Sequence, residues 1–252
     1  MKRFRKSLLF ALAVLPAAAV GGYFLGFYIL DMYDAATLAL IEEQLGSLAL
    51  LPFVSLGQSV AYAVVCGVAG YCLADSLGLI RPFRPEKEAL VSTVCGSVGL
   101  GILFSLDYWT FGTWIPELNV ASTTAAGLTA AGWISAVLYG GVIEEVLLRL
   151  FAMSLLAWLI RKLLFRRSET VPTGVLAAAN ILAALLFAAG HLPTTVFSFG
   201  GLTPLLVFRC FLLNGGFGLY FGYVYRRHGI QYAMLSHALL HIVSKSVWTL
   251  FL

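Results

Sequence analysis

The stretch that decides the fold is residues 131–160, AGWISAVLYGGVIEEVLLRLFAMSLLAWLI. About 20 mostly apolar residues are enough for one helix to cross a bilayer. Three charged residues, Glu144, Glu145 and Arg149, interrupt this apolar run. An ionisable side chain within a span costs roughly 2.5–3.5 kcal/mol on insertion scales, so such residues are candidates for function. The stretch therefore predicts a transmembrane helix that carries a polar site.

The rest of the chain has the same apolar character. Of its 252 residues, 60% are hydrophobic and 11% are charged, whereas soluble domains contain about 25% charged residues. The apolar runs are too long for the alternating strands of a membrane β-barrel. We expect a single transmembrane domain over residues 1–252, an all-α bundle of about seven spans. The predicted spans are 7–30, 52–79, 89–106, 131–160, 172–192, 203–225 and 231–252.

Charge distribution predicts the orientation of these spans. Basic clusters fall on alternate connections, as they do where Lys and Arg mark the cytoplasmic side. This pattern predicts a cytoplasmic N-terminus, an odd number of spans and a multi-pass protein of the plasma membrane. Because the formal charge of +4 is spread over short connections, it does not indicate a nucleic-acid partner. The basic clusters are Lys2 to Lys6, Arg81 to Lys87, Arg161 to Arg167, and Arg226 with Arg227.

Two segments allow a second interpretation. The N-terminal run resembles a signal peptide with its small-residue cleavage site, but it is long enough to span, so we expect an uncleaved first helix. Residues 108–130 could form a loop, an interfacial helix or an eighth span, and an eighth span would break the charge alternation. In the sixth segment, Gly218 and Gly222 form a pair of small residues that predicts close helix packing.

The glutamates of the fourth segment differ in their expected surroundings. Adjacent helical residues point about 100° apart, so the two carboxylates should face different directions. Glu145 and Arg149 are spaced i,i+4 and can form an ion pair. Glu144 then lacks a local partner and is free to point into a cavity. If both glutamates only joined helices together, one acid for one arginine would be enough.

Two more segments carry polar motifs. Phe187 and His191 share a face at i,i+4 near the end of the fifth segment. Taken alone, His191 is also compatible with a core or interfacial role. In the last segment, His237 and His241 share a face that Lys245 extends by one turn. Such a histidine pair indicates either a metal site or hydrogen bonding between helices.

Together, the motifs EExxxR from Glu144, FxxxH ending at His191, and HxxxH from His237 resemble the CAAX prenyl protease and bacteriocin-processing (CPBP or Abi) family of intramembrane proteases. That family carries EExxxR, FxxxH and HxxxN on separate transmembrane helices. The resemblance covers about residues 131–252. This sequence departs from the family at His241, where asparagine is usual. Histidine can also donate a hydrogen bond, so the departure concerns the role of this position.

The resemblance implies proteolysis at or within the membrane. We expect Glu144 to act as general base toward water and His191 to position that water. His237 and His241 are expected to donate hydrogen bonds to the developing oxyanion. Glu145 with Arg149 would hold the site in place. No cofactor is needed for this mechanism. In the alternative, Glu144, His191 and His237 bind zinc and leave one position open for water.

Substrate and function class stay open at this point. The resemblance implies lipid surroundings and a peptide or membrane-protein substrate, either prenylated or a leader peptide. A proton-coupled transporter also uses intramembrane carboxylates and histidines. A non-catalytic membrane scaffold or immunity protein is the other alternative. A protease requires Glu144, His191 and His237 to converge on one cavity, although simple span counting places Glu144 and His191 nearer one side of the membrane than His237.

Overall fold

The computed structural model describes residues 2–82, 84–115, 125–168 and 170–252, and within these ranges every regular element is a helix. The all-α prediction is therefore confirmed for the described chain. The α-helices are α1 Lys2–Met32, α2 Ala35–Leu45, α3 Leu51–Ala61, α4 Gly67–Ser76, α5 Lys87–Ser105, α6 Phe111–Trp114, α7 Ala130–Ser135, α8 Ser154–Leu164, α9 Thr173–Gly190, α10 Leu192–Phe199, α11 Pro204–Cys210, α12 Gly216–His228 and α13 Ile230–Phe251.

Four π-helical segments join some of these helices into longer rods. Tyr62–Cys66 joins α3 to α4, and Phe211–Gly215 joins α11 to α12. Ala136–Glu144 and Val146–Met153 join α7 to α8, which gives one continuous helix over 130–164, named here the glutamate helix. π-Helical turns are rare and occur frequently at functional sites. In this chain the two longest π-segments flank Glu145.

Five helices of the described chain are long and apolar enough to cross a membrane, which supports an integral membrane protein. They correspond to five of the seven predicted segments. The other two segments are also helical, namely the glutamate helix and α13, and these two carry most of the motif residues. The count of seven spans stays a prediction. The five helices are Arg3–Met32, Leu48–Ser76, Lys87–Trp114, Thr173–Phe199 and Pro204–His228.

Two boundaries differ from the predicted segments. His191 does not close its helix, because its φ of −89° and ψ of −8° are helical and α10 continues directly to Phe199. Pro193 lies in the first turn of α10, where proline is tolerated. The helical span that begins at Lys87 extends through Trp114, into the ambiguous segment 108–130. Residues 116–124 of that segment lie outside the described residues, so the structure does not test an eighth span.

Small residues bring the site helices together. A Cβ added to Gly141 would lie 2.8 Å from the Cβ of Ala238, so the glutamate helix and α13 are in near-backbone contact. In α12, a Cβ on Gly218 would lie 3.0 Å from Nη2 of Arg149 and one on Gly222 would overlap Asn180. The predicted close packing at these two glycines is therefore present. Without these contacts the polar side chains of different helices could not reach one another.

The first helix belongs to the same bundle. In α1, Gly21 packs against the backbone of Tyr139 in the glutamate helix, where an added Cβ would be only 2.7 Å from its nitrogen. Arg3 forms an ion pair with Asp75 at the end of α4. The C-terminal part of α1 lines the same cavity as the motif residues, with Tyr28 and Met32 among its lining.

Candidate active site

Glu145 and Arg149 of the glutamate helix form a buried ion pair beside the site. Glu145 is 0% exposed and Arg149 is 1% exposed, and Nη1 of Arg149 lies 3.1 Å from Oε1 of Glu145. Nη2 of the same guanidinium donates to the carbonyl of Gly218 at 3.0 Å. The guanidinium also lies over the rings of Phe187 and Phe221, 4.8 and 5.3 Å from their centroids. This arrangement holds a buried cation between the glutamate helix, α9 and α12.

His237 lies between the two glutamates. Its Nδ1 donates to Oε1 of Glu145 at 2.9 Å, and its Nε2 lies 4.0 Å from Oε2 of Glu144. The ring stacks on Phe221 at 4.3 Å. The expectation that the two carboxylates face different places holds only in part, because they approach opposite nitrogens of one imidazole. Since the Glu145 carboxylate can only accept, Nδ1 of His237 carries a proton, and Nε2 is left to face the cavity.

The second histidine of α13 continues the same face. Nε2 of His241 lies 3.2 Å from Nε2 of His237, and the two rings stack at 4.9 Å. One of these two nitrogens must donate and the other accept. If Nδ1 of neutral His237 carries its proton, Nε2 of His241 is the donor. Gly140 of the glutamate helix makes room for this ring, because a Cβ there would lie 3.0 Å from Nε2 of His241.

His191 approaches from α9. Its Nδ1 donates to the carbonyl of Phe187, one turn earlier, at 2.8 Å, and the ring packs edge-on against Phe187 at 4.6 Å. These two contacts fix the orientation of the imidazole. Its other nitrogen, Nε2, has no hydrogen bond to any described residue, and the side chain lines the cavity. The ring therefore has one nitrogen held by the scaffold and one available to a ligand.

One cavity of about 460 Å³ brings these residues together. Glu144, His191, His237 and His241 all line it, although they come from three different helices. Glu144 is the carboxylate with access to the cavity, at 18% side-chain exposure, whereas Glu145 has none. Glu145 and Arg149 do not line the cavity themselves but lie next to residues that do. The volume is in the range of ordinary small-ligand pockets.

The cavity also contains polar residues that the sequence motifs did not indicate. Asp107, two residues after the end of α5, accepts hydrogen bonds from Nε of Arg209 at 2.8 Å and from Nη2 of the same side chain. Asn214 and Tyr139 line the same space. Arg209 within an apolar segment was the available signal, but its partner lies 102 positions away. Only the fold could identify that pair.

The proposed zinc ligands do not form a metal-binding set. Among the described residues, no group of three His, Cys, Asp or Glu side chains is arranged to hold a metal ion. Nδ1 of His237 donates to Glu145, so only its Nε2 could bind a metal, and that atom lies 3.2 Å from Nε2 of His241.

Comparison with known proteins identifies the region that holds this site. Residues 125–243 match the family model described as type II CAAX prenyl endopeptidase Rce1-like. No curated protein and no solved structure matches the chain. The matched region contains all three motifs, from Glu144 to His241. The resemblance to the CAAX prenyl protease and bacteriocin-processing family is thus confirmed over residues 125–243, the region that matches the Rce1-like family model.

Proposed function

We propose that this protein is an intramembrane endopeptidase in which Glu144 activates the hydrolytic water. The family match supports peptidase activity in general. The observation that carries the finer proposal is the division between two neighbouring carboxylates. Glu145 is fully buried and bound to Arg149 and His237, while Glu144 reaches the cavity. Its access to the cavity supports Glu144, rather than Glu145, as the residue that accepts a proton from water.

The distance between Glu144 and His237 suits a bridging water. Oε2 of Glu144 and Nε2 of His237 are 4.0 Å apart. A water about 2.8 Å from each atom, an ordinary hydrogen-bond length, fits that separation. When this water attacks the scissile carbonyl carbon, its proton passes to Glu144. The same carboxyl then delivers the proton to the leaving amine as the C–N bond breaks, so the base is restored.

The histidines supply the other parts of the reaction. His191, fixed through Nδ1 by the Phe187 carbonyl, presents its Nε2 to the cavity and can orient water or substrate. The N–H at Nε2 of His241, which donates to Nε2 of His237 in the structure, would turn to the carbonyl oxygen of the substrate as negative charge develops on it. His237 is held by Glu145 through Nδ1, so this carboxylate acts as a positioning residue.

The expected substrate is a peptide or a membrane-protein segment, either prenylated or a leader peptide. The cavity supports this choice, because its walls combine apolar groups such as Leu25, Met32 and Phe104 with the polar motif residues. The proposed setting is the plasma membrane with a cytoplasmic N-terminus, as the basic clusters predict. Lipid is then the only other partner that the proposal requires.

The decisive experiment compares Glu144→Gln with the wild type in reconstituted vesicles. Glutamine keeps the shape of the side chain and removes its basicity, so we expect cleavage of a prenylated peptide to fall at least about 100-fold while the fold is retained. The matched control is Glu43→Gln in exposed α2, which should cleave at the wild-type rate. Helical content and thermal stability in detergent establish that both variants are folded.

The outcomes separate the rival mechanisms. Loss of cleavage in Glu144→Gln with activity resistant to chelators supports the glutamate mechanism. Inactivation by chelators with rescue by added zinc would replace it with the metal alternative. Full activity of Glu144→Gln would reject both. If the wild-type protein binds peptides but cleaves none, the scaffold or transporter alternative would be favoured instead.

A further inference from the structure

One wall of the cavity comes from a part of the chain that the family model does not match. Leu25, Tyr28, Met32 and Tyr33 line the cavity together with Glu144, whereas the matched region begins at residue 125. Most of α1 is packed on α3, α4 and the glutamate helix. Its end and Tyr33, the first residue after it, therefore bring an additional segment of this chain to the site.

The helix that follows Tyr33 has little contact with the bundle. No residue of α2, which the structure describes in full, is buried, and its principal contact is with the short turn Leu48–Leu50 that follows it. The helix begins at its cap Asp34 and ends at Gly46, whose φ of +79° favours glycine. Segments with few buried contacts open at a low cost in free energy. Residues 33–46 are named here the flap.

The flap touches the opposite wall of the cavity through Tyr33. Its ring lies 5.7 Å from the ring of Phe197 in α10, and its hydroxyl interacts with the side chain of Thr194, which also lines the cavity. By contrast, α1 meets the glutamate helix at backbone distance through Gly21. Because side chains make the contact between the flap and α10, it can part without separating the closely packed helices.

We propose that the flap is a gate of the cavity, closed in this structure and opened when Tyr33 leaves Phe197 and Thr194. α10 starts directly after His191, and both the backbone N–H and the hydroxyl of Thr195 donate to the His191 carbonyl at 3.0 Å. The closed flap thus supports the turn that holds the backbone of His191. Loops that close over active sites commonly complete the arrangement of the reacting groups. The gate goes beyond the proposed peptidase function and does not depend on which substrate enters.

Reversible cross-linking tests whether the flap must open. The variant Tyr33→Cys with Phe197→Cys is reconstituted in vesicles and treated with a short bis-methanethiosulfonate reagent, which joins two thiols and is removed by dithiothreitol. A gate that is held closed prevents entry, so we expect cleavage of a prenylated peptide to fall at least about 10-fold and to recover on reduction. Wild-type protein treated in the same way accounts for the native cysteines.

The matched control is Tyr23→Cys with Phe53→Cys. These two rings also join α1 to another helix, with their centroids 5.6 Å apart, but neither residue lines the cavity. Cross-linking of this pair should leave cleavage unchanged.

A second measurement needs no cleavage. In Leu213→Cys the new thiol lies on the cavity wall, so its rate of labelling by a bulky maleimide reports how often the cavity is open, and mass spectrometry distinguishes it from the native cysteines. Loss of one aromatic contact changes an equilibrium by about 2- to 10-fold. Adding Tyr33→Ala should therefore raise the labelling rate by about 2- to 10-fold, whereas adding Tyr23→Ala should leave it unchanged.

The two measurements separate the gate from the peptidase proposal. Unchanged labelling in Tyr33→Ala would overturn the gate, as would undiminished cleavage by the cross-linked Tyr33→Cys, Phe197→Cys protein, and both results leave the peptidase proposal standing. A loss of cleavage that reduction does not reverse, or an equal loss in the control pair, would also count against the gate. Faster labelling of Tyr33→Ala in a protein that cleaves no peptide would support the gate and overturn the peptidase proposal.

Discussion

Replacing Glu145 with glutamine should destabilise the protein strongly, although its neighbour Glu144 tolerates the same change. Glu145 is fully buried and its Oε1 serves both Arg149 at 3.1 Å and His237 at 2.9 Å. Removing one partner of a buried ion pair costs about 3–5 kcal/mol because the remaining charge is left uncompensated. Glutamine Oε1 can still accept one hydrogen bond, so we expect a loss of about 3 kcal/mol, near the lower limit.

Glu144→Gln is the matched comparison because it makes the same chemical change one residue earlier. The Glu144 side chain is 18% exposed and its nearest ionic partner, Nε2 of His237, is 4.0 Å away. We therefore expect a loss of no more than about 1 kcal/mol, as for a partly exposed ion pair. For a chain of this size, the difference between the two variants corresponds to a shift in Tm on the order of 10 °C or less.

Thermal unfolding in detergent, followed by intrinsic fluorescence and by the loss of soluble monomer, measures both variants under one condition. Adding Arg149→Met to Glu145→Gln removes the uncompensated charge, so the double variant should be more stable than the sum of the two single losses predicts. Equal losses in Glu144→Gln and Glu145→Gln would refute the division of roles between the two carboxylates. Strict additivity in the double variant would refute the buried-charge explanation.

Three other predictions follow from the same contacts. Gly141→Ala should lower Tm, because its Cβ would lie 2.8 Å from the Cβ of Ala238, whereas Gly57→Ala, with no atom within 4 Å of its Cβ, should be neutral or stabilising by about 0.5–1 kcal/mol. His241→Asn should retain more peptide cleavage than His241→Ala, because the asparagine amide can still donate a hydrogen bond; equal rates would show that no donor is needed. Cysteine-accessibility labelling should place the N-terminus and the 161–170 connection on the same, cytoplasmic side, and labelling from opposite sides would contradict the predicted topology.

Several features of the site follow from local sequence spacing. The i,i+4 spacing of Glu145 and Arg149 predicted an ion pair that the structure contains. The same spacing placed His237 and His241 on one face, where their rings stack. Contacts of this kind depend only on helix geometry, so a sequence that forms a helix determines them. The long apolar runs likewise determined that the described chain folds as helices suited to a membrane.

Other features required the tertiary structure. The sequence separated Glu144 from Glu145 by direction but could not show that one imidazole lies between them, because His237 comes from a helix 92 positions later in the chain. The end of the fifth segment was misplaced, since Pro193 usually marks a boundary but here occupies the first turn of α10. The partner of Arg209 could not be predicted either, because Asp107 lies 102 positions earlier in the chain.

The sequence by itself determined the class of protein and the residue types of its site, because hydrophobic length and helical spacing are local properties. Only the tertiary structure decided which of those residues share a cavity, since that depends on how closely the helices approach. At Gly141 and Gly218 the missing side chains allow this approach, and they bring Glu144, His237 and Arg149 within reach of their partners. A helix-period pattern identifies the face of each helix, but the packing of small residues sets the distances at which charged groups meet.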